Sequence, residues 1–260
     1  MTKNGLVRLE IDGARADVVL ARPEARNALN LPMCEDLIAV FEAIAANDDL
    51  RVVVLSAEGP SFCAGADMKE RKGRDEAWVK MRRRASFRAY ETIGQCALPV
   101  IAQVQGPLVG SGGEIAMSCD FIVASTAATF RFPEPQWGTV GATQRLQRVI
   151  GLARAKELLY TGRVMDAQEA HRIGLVTQLT DPEELSGQVD GIAEQIVAAP
   201  SLAMKLTKHC VDAGARTDLA AGIAIELAAI DRLLSQSDWR AGIERFGNQV
   251  GGRPDGGKKS

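Results

Sequence analysis

A cluster of glycines stands directly before a carboxylate and an apolar run in the stretch VGSGGEIAMSCD, residues 109–120. Glycine has no side chain, so it allows the backbone to come close to a ligand or to another segment. Glu114 follows the glycines and falls in the first turn of an expected helix. An acid there either complements the helix dipole, which is a common structural role, or acts on a bound molecule. The first question is therefore what these glycines approach.

Two familiar kinds of glycine-rich site match this stretch poorly. A phosphate-binding loop requires GxxxxGKS or GxxxxGKT, which the chain lacks, and the dinucleotide fingerprint GxGxxG fails after Gly112 because Ile115 replaces the last glycine. Gly-Ser-Gly-Gly resembles a serine-hydrolase turn, which would make Ser111 a nucleophile, although the GxSxG elbow is not matched. The base would then be His171 or His209, each in a helical context, and this interpretation stays open as an alternative.

A third interpretation uses backbone N–H groups rather than a side chain. Donors at the start of a helix stabilise an oxygen that gains negative charge during a reaction. Glu114 would then lie one turn away from that oxygen, where its carboxylate could act on a neighbouring carbon or on a water. The sequence thus favours a site that combines an oxyanion hole with an acid.

Length and composition predict one large domain, or one domain with an appendage. The chain has 260 residues, of which 46% are hydrophobic and 25% charged, so it can bury a substantial core without metals or disulfides. A formal net charge of -2 gives no support to a nucleic-acid partner. The run Arg82-Arg83-Arg84 is the one basic cluster of note, and we interpret it as a solvated helix face.

Cysteine and histidine usage points to a reducing compartment and away from a metal site. The five cysteines form no CxxC pair and are odd in number, which fits an intracellular protein. Two histidines leave little material for a zinc site, so we predict no metal. The N-terminus lacks the apolar core of a signal peptide, and no apolar run reaches the roughly 18 residues of a membrane span. The expected location is the cytoplasm, with no membrane partner.

The first half of the chain alternates expected strands and helices. GLVRLEID and ADVVLAR alternate apolar and polar residues, which predicts a hairpin near Asp12. LPMCEDLIAVFEAIAAN has helical periodicity, with Pro32 at an opening position. Buried-strand runs follow in LRVVVLSAEG, PVIAQVQG, DFIVAS and GLVTQLT. Strands separated by helices predict an α/β fold with mostly parallel pairing.

The character of the sequence changes after about Asp181. Three helical stretches follow without a strand signal between them, namely DPEELSGQVDGIAEQIVAA, PSLAMKLTKHCVDAG and LAAGIAIELAAIDRLLSQ. The chain ends in a polar Gly/Lys segment whose composition predicts disorder. We therefore expect residues 1–195 to form a core that contains the active site, and residues 196–260 to form a helical region with this tail.

Five ordered stretches of the sequence share motifs with one known family. They are ARPEARNALN from Ala21, SFCAGADMKE from Ser61, VQGPLVGSGGEIAMSCDFIVAS from Val104, FPEPQWGTVGATQRL from Phe132 and GLARAKELLYTGRVMDAQEAHRIGLV from Gly151. Together they resemble the enoyl-CoA hydratase/isomerase (crotonase) superfamily over nearly the whole chain. The sequence is identified as a hydratase-like member of that superfamily.

The resemblance implies a fold, a substrate and an assembly. The family's fold is a spiral of ββα units followed by C-terminal helices used in trimer formation, so residues 196–260 become the expected trimerisation region. Family members bind acyl-CoA thioesters and stabilise an enolate-like anion with two backbone N–H groups. The resemblance therefore implies an acyl-CoA substrate, no separate cofactor because coenzyme A enters with the substrate, and a homotrimer or a hexamer made as a dimer of trimers.

The family's binding residues transfer to this chain by position. The two oxyanion donors fall on the backbone N–H groups of Ala66 and Ser111, where many members have glycine at the second position. The neighbouring segment is expected to line the CoA site, and Lys69 and Arg26 could meet the phosphates. The full set implied for CoA and substrate binding is Ala64, Ala66, Asp67, Met68, Lys69 and Arg26.

Hydratases of the family carry two catalytic glutamates, and the resemblance places them at Glu114 and Glu134, 20 residues apart as in hydratases. Adding water across a conjugated thioester requires activating a water at Cβ and delivering a proton to Cα. Two carboxylates can hold one water between them and exchange its proton while the oxyanion donors carry the thioester charge. Isomerases of the family commonly use a single carboxylate at the Glu134 position.

Two stretches depart from the hydratase pattern. The loop GTVGATQRL is shorter than the family's glycine-rich PGxGGTQ loop, and the flanking Phe130, Phe132 and Trp137 are either core aromatics or part of a reshaped acyl pocket. The basic C-terminal motif is diluted to RFGNQVGGRP, with Arg245 and Arg253 as weak substitutes.

We interpret the chain as a lyase that adds water reversibly to a 2-enoyl-CoA. The alternatives are an enoyl-CoA isomerase or a thioester hydrolase on the same scaffold, or a CoA-binding protein without catalysis.

Overall fold

The computed structural model of the chain describes residues 2–237 and 239. The described part of the chain divides into two compact units, the first ending at Ala199 and the second beginning at Pro200. The predicted boundary after residue 195 falls inside the helix Leu185–Ala198, and the assignment of a function to each part stays a prediction. The Gly/Lys tail, Arg245 and Arg253 lie outside the described residues.

The first unit is built on a six-stranded sheet with the strand order β1-β2-β3-β4-β6-β9. The first two strands form the predicted antiparallel hairpin, and every later neighbour pairs in parallel. The expected α/β fold with mostly parallel pairing is therefore confirmed. The strands are β1 Val7–Asp12, β2 Arg15–Leu20, β3 Val52–Ala57, β4 Val100–Val104, β6 Phe121–Ser125 and β9 Gln178–Thr180.

A second sheet of three short strands lies in the same unit and was not anticipated. Its order is β5-β7-β8, with a parallel pair followed by an antiparallel one. These strands are two or three residues long, which is too short for an alternating pattern to show in the sequence. They are β5 Leu108–Val109, β7 Thr129–Arg131 and β8 Val164–Asp166.

Helices connect and cover the strands of the first unit. The helix α1 begins where the side chain of Asn30 accepts a hydrogen bond from the Met33 N–H at 2.9 Å, and Pro32 stands in its first turn as expected. The helices are α1 Leu31–Ala45, α2 Glu76–Gly94, α3 Ser111–Ala116, α4 Thr143–Ile150, α5 Leu152–Thr161, α6 Ala167–Arg172 and α7 Leu185–Ala198.

The central strand β3 is apolar over most of its length because both faces of the large sheet are covered there. In β3, the side chains of Val53 and Leu55 belong to the main core, whereas those of Val52 and Val54 pack in a second cluster with α7. Alternate side chains point to opposite faces, so a strand buried on both sides has no polar face. This explains the run VVVL and places α7 firmly in the first unit.

The second unit contains two described helices, α8 Ser201–Gly214 and α9 Leu219–Gln236. Asp218 caps α9 by accepting a hydrogen bond from the Ala221 N–H at 3.0 Å. Along α9 a row of apolar side chains is exposed, namely Leu219, Ile223, Leu227, Ile230 and Leu234. The role of this region in self-association stays a prediction. Among the described residues, no helix is long and apolar enough to cross a membrane.

Candidate active site

The glycines before Glu114 let α3 pack directly on other parts of the protein. A Cβ added at Gly112 would lie 2.5 Å from the carbonyl oxygen of Cys63, and one at Gly113 would lie 2.4 Å from the ring of Phe132. Gly110 has a positive φ of 47° and faces the Glu134 carboxylate, which a Cβ there would meet at 2.8 Å. These glycines therefore approach protein groups, and the result is to bring α3, Cys63 and Glu134 together.

The segment around Ala66 is joined to β5 on one side. Cys63 pairs with Leu108, and the Val109 N–H donates to the Cys63 carbonyl at 2.9 Å. Because β5 leads through Gly110 into α3, this pairing carries the segment that contains Ala66 next to the start of the helix. The two predicted oxyanion donors thus belong to neighbouring segments.

On its other side the Ala66 segment pairs with the chain near Leu29. The Leu29 N–H donates to the Gly65 carbonyl, and the Asp67 N–H donates to the Leu29 carbonyl, both at 2.8 Å. In such a parallel bridge the residue between the two bonded groups turns its own N–H away from the partner strand. The N–H of Ala66 consequently has no acceptor among the described residues.

The Ser111 N–H is also without an acceptor in the part of the chain that the structure describes. Ser111 is the first residue of α3, where helical N–H groups have no partner within the helix. The preceding N–H groups are both used, since Val109 donates to Cys63 and Gly110 donates to the Arg131 carbonyl at 2.9 Å. Two N–H groups on adjacent segments are therefore available to an external oxygen. That both would bind one thioester oxygen stays a prediction.

Glu114 is buried, with 5% of its surface exposed, and both of its carboxylate oxygens are engaged. One oxygen accepts from the Ala142 N–H at 2.8 Å, and the other accepts from the Arg145 guanidinium at 3.0 Å. Ala142 has a left-handed φ of 56°, which is uncommon for a residue with a side chain. The shortened loop therefore folds so that its last residue donates to Glu114.

Glu134 is buried to a similar degree, with 7% of its surface exposed, but its Oε2 atom has no partner among the described residues. Burial raises the pKa of Glu134 above its ordinary value, and the negative charge of Glu114 adds to this rise. The carboxylate lies against two glycines, since a Cβ at Gly110 or Gly141 would come within 2.8 or 2.9 Å of its Oε1 atom. The structure thus brings both predicted acids into one buried region.

The residues expected to bind CoA fall into two groups. Asp67 is buried and accepts from the Arg22 guanidinium at 2.8 Å and from the Lys69 N–H at 2.9 Å. Burial alone would raise the pKa of Asp67, but these two donors bring it below its ordinary value. Its carboxylate therefore fixes the loop. Exposed side chains that remain available to a ligand are Arg26, Met68 and Lys69, and Ala64 and Ala66 are half-buried.

Arg26 and Lys69 lie on segments that run side by side. The Ala64 N–H donates to the Arg26 carbonyl at 2.9 Å, which joins the two segments two residues before Ala66. Arg26 and Asn27 both have left-handed φ values, 51° and 53°, and the Asn27 side chain is buried. The Asn27 side chain donates to the carbonyls of Glu58 and Ser61, and these two hydrogen bonds fix the turn that presents Arg26.

Arg82 is buried, in contrast to the solvated position predicted for it. Its side chain is 1% exposed and bonds to the Glu70 carboxylate, the Leu29 carbonyl and the Ser86 hydroxyl. The interpretation of Arg82-Arg83-Arg84 as a solvated helix face is therefore wrong for Arg82, although Arg84 is exposed. Because Leu29 pairs with the Ala66 segment, Arg82 supports that segment from α2.

Tyr90 of α2 and Arg145 of α4 also border the site, and the sequence did not predict a role for either. Tyr90 is buried, and its ring lies 5.7 Å from the Arg145 guanidinium. Burial raises the pKa of Tyr90, and the nearby Ser111 side chain only partly opposes this. Tyr90 therefore stays protonated at neutral pH and is not a base for Ser111. Arg145 belongs to the TQRL motif of the sequence. Its partner Glu114 lies 31 residues away in the chain, so the motif alone does not reveal the pair.

The remaining candidates take structural roles. Burial raises the pKa of Cys63 to about 12, which excludes an activated thiolate. Phe130 and Phe132 are core residues, as one interpretation expected, whereas Trp137 is 53% exposed. His171 bonds through its ring to the Val176 carbonyl at 3.1 Å. No cluster of metal-ligating side chains occurs within the described residues.

Comparison with known proteins places this site in a family. A sequence model of the enoyl-CoA hydratase/isomerase family matches residues 10–250. The enoyl-CoA isomerase/hydratase fer4 of Mycosarcoma maydis is 34% identical over 263 residues, which cover 95% of this chain and 96% of fer4. The crotonyl-CoA hydratase of Syntrophomonas wolfei is 36% identical over 245 residues, with 92% of this chain and 93% of that protein covered.

A solved structure agrees with the sequence relatives. The crystal structure of enoyl-CoA hydratase from Bacillus anthracis superposes with a TM-score of 0.91 at 32% identity, covering 94% of this chain and 96% of that one. The fold and the site together define a member of the crotonase superfamily, which confirms the predicted fold class. The chain belongs to the enoyl-CoA hydratase/isomerase family.

Proposed function

We propose that the protein is an enoyl-CoA hydratase, which adds water reversibly to a 2-enoyl-CoA thioester. One observation carries the proposal: two buried carboxylates, Glu114 and Glu134, lie close enough to interact beside two unpaired backbone N–H groups. The N–H groups and the carboxylates each serve a different part of the reaction. The N–H groups of Ala66 and Ser111 receive the oxygen that becomes negative, and the carboxylates handle water and proton.

The surroundings of the two acids suggest how they divide the work. Arg145 and the Ala142 N–H orient Glu114, so its carboxylate is the proposed acceptor for the proton of the attacking water. Glu134, whose raised pKa favours its protonated form, is the proposed donor to Cα. The hydroxyl joins Cβ, the proton joins Cα, and exchange of the water proton between the two carboxylates restores the starting state.

The binding of CoA follows from the exposed residues near the oxyanion segment. Ala64, Ala66, Asp67 and Met68 belong to the strip that would line the cofactor part of the substrate, and Lys69 and Arg26 offer cations to its phosphates. The named CoA substrates of the relatives support this assignment. Self-association through residues 196–260, a trimer or hexamer, and a cytoplasmic location remain parts of the same proposal.

Isomerisation of the double bond is the second candidate, and one observation favours it. Both oxygens of Glu114 are already engaged, whereas Glu134 retains an unpaired oxygen. A single available carboxylate is sufficient to move a proton between two carbons. The relative fer4 carries both activities in its name.

The experiment offers the purified full chain two substrates in separate reactions. With a 2-enoyl-CoA, we expect 3-hydroxyacyl-CoA, identified by a mass gain of one water. With a 3-enoyl-CoA, a hydratase alone gives no rapid product. Rapid conversion of the 3-enoyl thioester to the 2-enoyl thioester without hydration of the latter would replace the hydratase proposal with the isomerase.

Replacing Ser111 by glycine separates the oxyanion role from a nucleophilic one. Glycine retains the backbone N–H, so Ser111→Gly should keep most of the activity with 2-enoyl-CoA. A loss comparable to that in a variant of either glutamate would contradict this and restore the serine nucleophile. Thermal unfolding of the same variant shows whether the folded state is preserved.

A further inference from the structure

Arg71 forms no ion pair with a described residue, although the negative charge of Glu70 acts on it and tends to raise its pKa. It ends the short helical turn Lys69–Arg71, its side chain is half-buried, and its Nε atom is fully buried without a hydrogen-bond partner. Burial lowers the pKa of Arg71, and the positive charges of Arg82 and Arg83 lower it further. Buried donors in proteins are usually hydrogen-bonded, so the Nε–H of Arg71 is a donor that still lacks an acceptor.

The acid beside the neighbouring Arg82 is already engaged, and Arg83, like Arg71, has no ion-pair partner among the described residues. Arg82 is balanced by Glu70, whose second oxygen is taken by the Leu31 N–H at 2.8 Å. Arg83 bonds only to neutral acceptors, the Thr139 hydroxyl at 2.6 Å and the Val140 carbonyl at 3.3 Å. Among the ion pairs of the described residues, none includes Arg71 or Arg83. Two guanidinium groups that act on each other therefore have no ion-pair partner among the described residues.

This region borders the reacting end of the candidate site. Arg71 interacts electrostatically with Tyr90, which in turn interacts with Ser111 and Glu114. Arg83 acts electrostatically on Glu134 and holds the loop that follows it. Both arginines therefore act on residues of the candidate site, Arg71 on Tyr90 and Arg83 on Glu134.

The position also distinguishes between two sources of an anion. The long pantetheine arm separates the phosphates of CoA from the thioester, and the cations proposed for those phosphates, Arg26 and Lys69, are already exposed on the oxyanion strip. An anion near Tyr90 and Glu134 must belong to the acyl part. Guanidinium groups bind carboxylates through paired hydrogen bonds, which suits a carboxylate at the end of a short acyl chain.

We propose that Arg71, assisted by Arg83, binds a carboxylate on the acyl group, so that the preferred substrate is the CoA thioester of an unsaturated dicarboxylic acid. This inference rests on the proposed function, since it names the substrate class of the same site. Arg71 acts here as a specificity-determining residue and takes no part in proton transfer.

The test compares two five-carbon substrates that differ in one group. They are 2-pentenoyl-CoA and glutaconyl-CoA, in which a carboxylate replaces the terminal methyl. We expect kcat/KM to be at least about tenfold higher for glutaconyl-CoA, since a hydrogen bond to a charged group contributes about 1.5–3 kcal/mol. In Arg71→Met the ratio of the two kcat/KM values should fall toward one, and Arg71→Lys should retain part of it. Arg84→Met removes an exposed charge on the same helix and should leave the ratio unchanged.

A binding measurement keeps the inference independent of catalysis. Glutaryl-CoA and valeryl-CoA are saturated thioesters of the same length, and their dissociation constants can be measured by calorimetry. Glutaryl-CoA should bind at least about tenfold more tightly, and Arg71→Met should remove this preference. Equal affinity in the wild-type protein would overturn the inference. Equal weakening of both ligands in Arg71→Met would also overturn it, because Arg71 would then serve the CoA phosphates.

The two failures are distinguishable. Hydration of 2-pentenoyl-CoA without a preference for glutaconyl-CoA or glutaryl-CoA refutes the substrate class and leaves the hydratase proposal intact. A clear preference for glutaryl-CoA in binding, without hydration of either enoyl thioester, refutes the hydratase and leaves the carboxylate site intact.

Discussion

Glu114 and Glu134 are buried almost equally, with exposed fractions of 5% and 7%, but their surroundings differ. Glu114 receives a guanidinium and a backbone N–H, so both of its oxygens are satisfied by the protein. Glu134 faces glycines and keeps one oxygen unpaired. A buried polar group without a partner costs stability, so its presence marks a place where the partner arrives from outside.

The arginines of α2 and the preceding turn repeat this contrast. Arg82 is enclosed by three protein acceptors and holds the Leu29 segment in place. Arg71, only eleven positions earlier, has no acceptor for its buried Nε atom among the described residues. In both pairs one member has all its partners within the protein, and the other keeps a buried atom that is available to the proposed substrate. Hydrogen-bond satisfaction, rather than burial, is therefore what distinguishes the two members of each pair.

The strongest test of this contrast removes each carboxylate in turn. Glu114→Gln and Glu134→Gln should each lower kcat for hydration by about 10²–10⁴, the usual range for positioned acid–base groups. The dissociation constant for CoA should change little, because neither residue is assigned to the nucleotide. Steady-state kinetics and calorimetry measure the two quantities. Glu35→Gln, an exposed change on α1, is the control.

One outcome would break the proposed division of labour. If Glu114→Gln kept full hydration activity while Glu134→Gln abolished it, Glu114 would be a framework residue like Arg82. The single-acid isomerisation would then be the better description of the site.

A second test concerns the close approach of α3 to the oxyanion segment. Gly112→Ala places a Cβ 2.5 Å from the Cys63 carbonyl, and such overpacking against backbone should lower the free energy of unfolding by about 1–3 kcal/mol or more. Gly187→Ala is the matched control in α7, where a Cβ meets nothing within 4 Å. There the free energy should rise by about 0.4–1 kcal/mol. Urea denaturation measures both, and an equal response at the two glycines would contradict the packing described.

A third test removes the partner that satisfies Glu114. Arg145→Met leaves Oε2 of Glu114 with no donor among the described residues, so the free energy of unfolding should fall by about 1–3 kcal/mol. Hydration should slow more than any isomerase activity, since only hydration is assigned to both acids. Arg148→Met removes an exposed arginine from the same helix and should change stability by less than about 0.5 kcal/mol.

The smallest effect is a pH dependence of stability due to Glu134. Its folded-state pKa is raised, so over the pH range between the ordinary glutamate value and the raised value the folded state holds a proton that the unfolded state has lost. Stability contributed by that proton is present at low pH and is lost as the pH rises through the folded pKa. Urea unfolding over a pH series should show a shallower decline in Glu134→Gln than in the wild-type protein. Identical slopes would mean that Glu134 is not perturbed by burial.

Regular elements could be predicted from the sequence because their signals are local. The apolar run in β3 and the opening proline of α1 each lie within a few residues, and the structure bears them out. The strands β5 and β8 are two and three residues long and leave no such signal. They form only because tertiary contacts hold them.

The candidate site was less predictable because its polar partners are far apart in the chain. Glu114 and Glu134 could be named from the family motifs, but the bond from Arg145 spans 31 residues, and Arg82 reaches Leu29 across 53. A run of three arginines has the same composition whether one of them is buried or not. Backbone propensities likewise do not predict the left-handed conformation of Ala142, since alanine disfavours it.

The buried thiol of Cys63 has a practical consequence for studying motion in this site. Alkylating reagents attack the thiolate, and a thiol with a pKa of about 12 is almost entirely protonated at neutral pH. Iodoacetamide can therefore modify Cys63 only when the segment beside Ala66 separates from α3 and admits water. The rate at which the alkyl group appears on Cys63, followed by peptide mass spectrometry, reports how often the oxyanion segment opens, without any label being introduced.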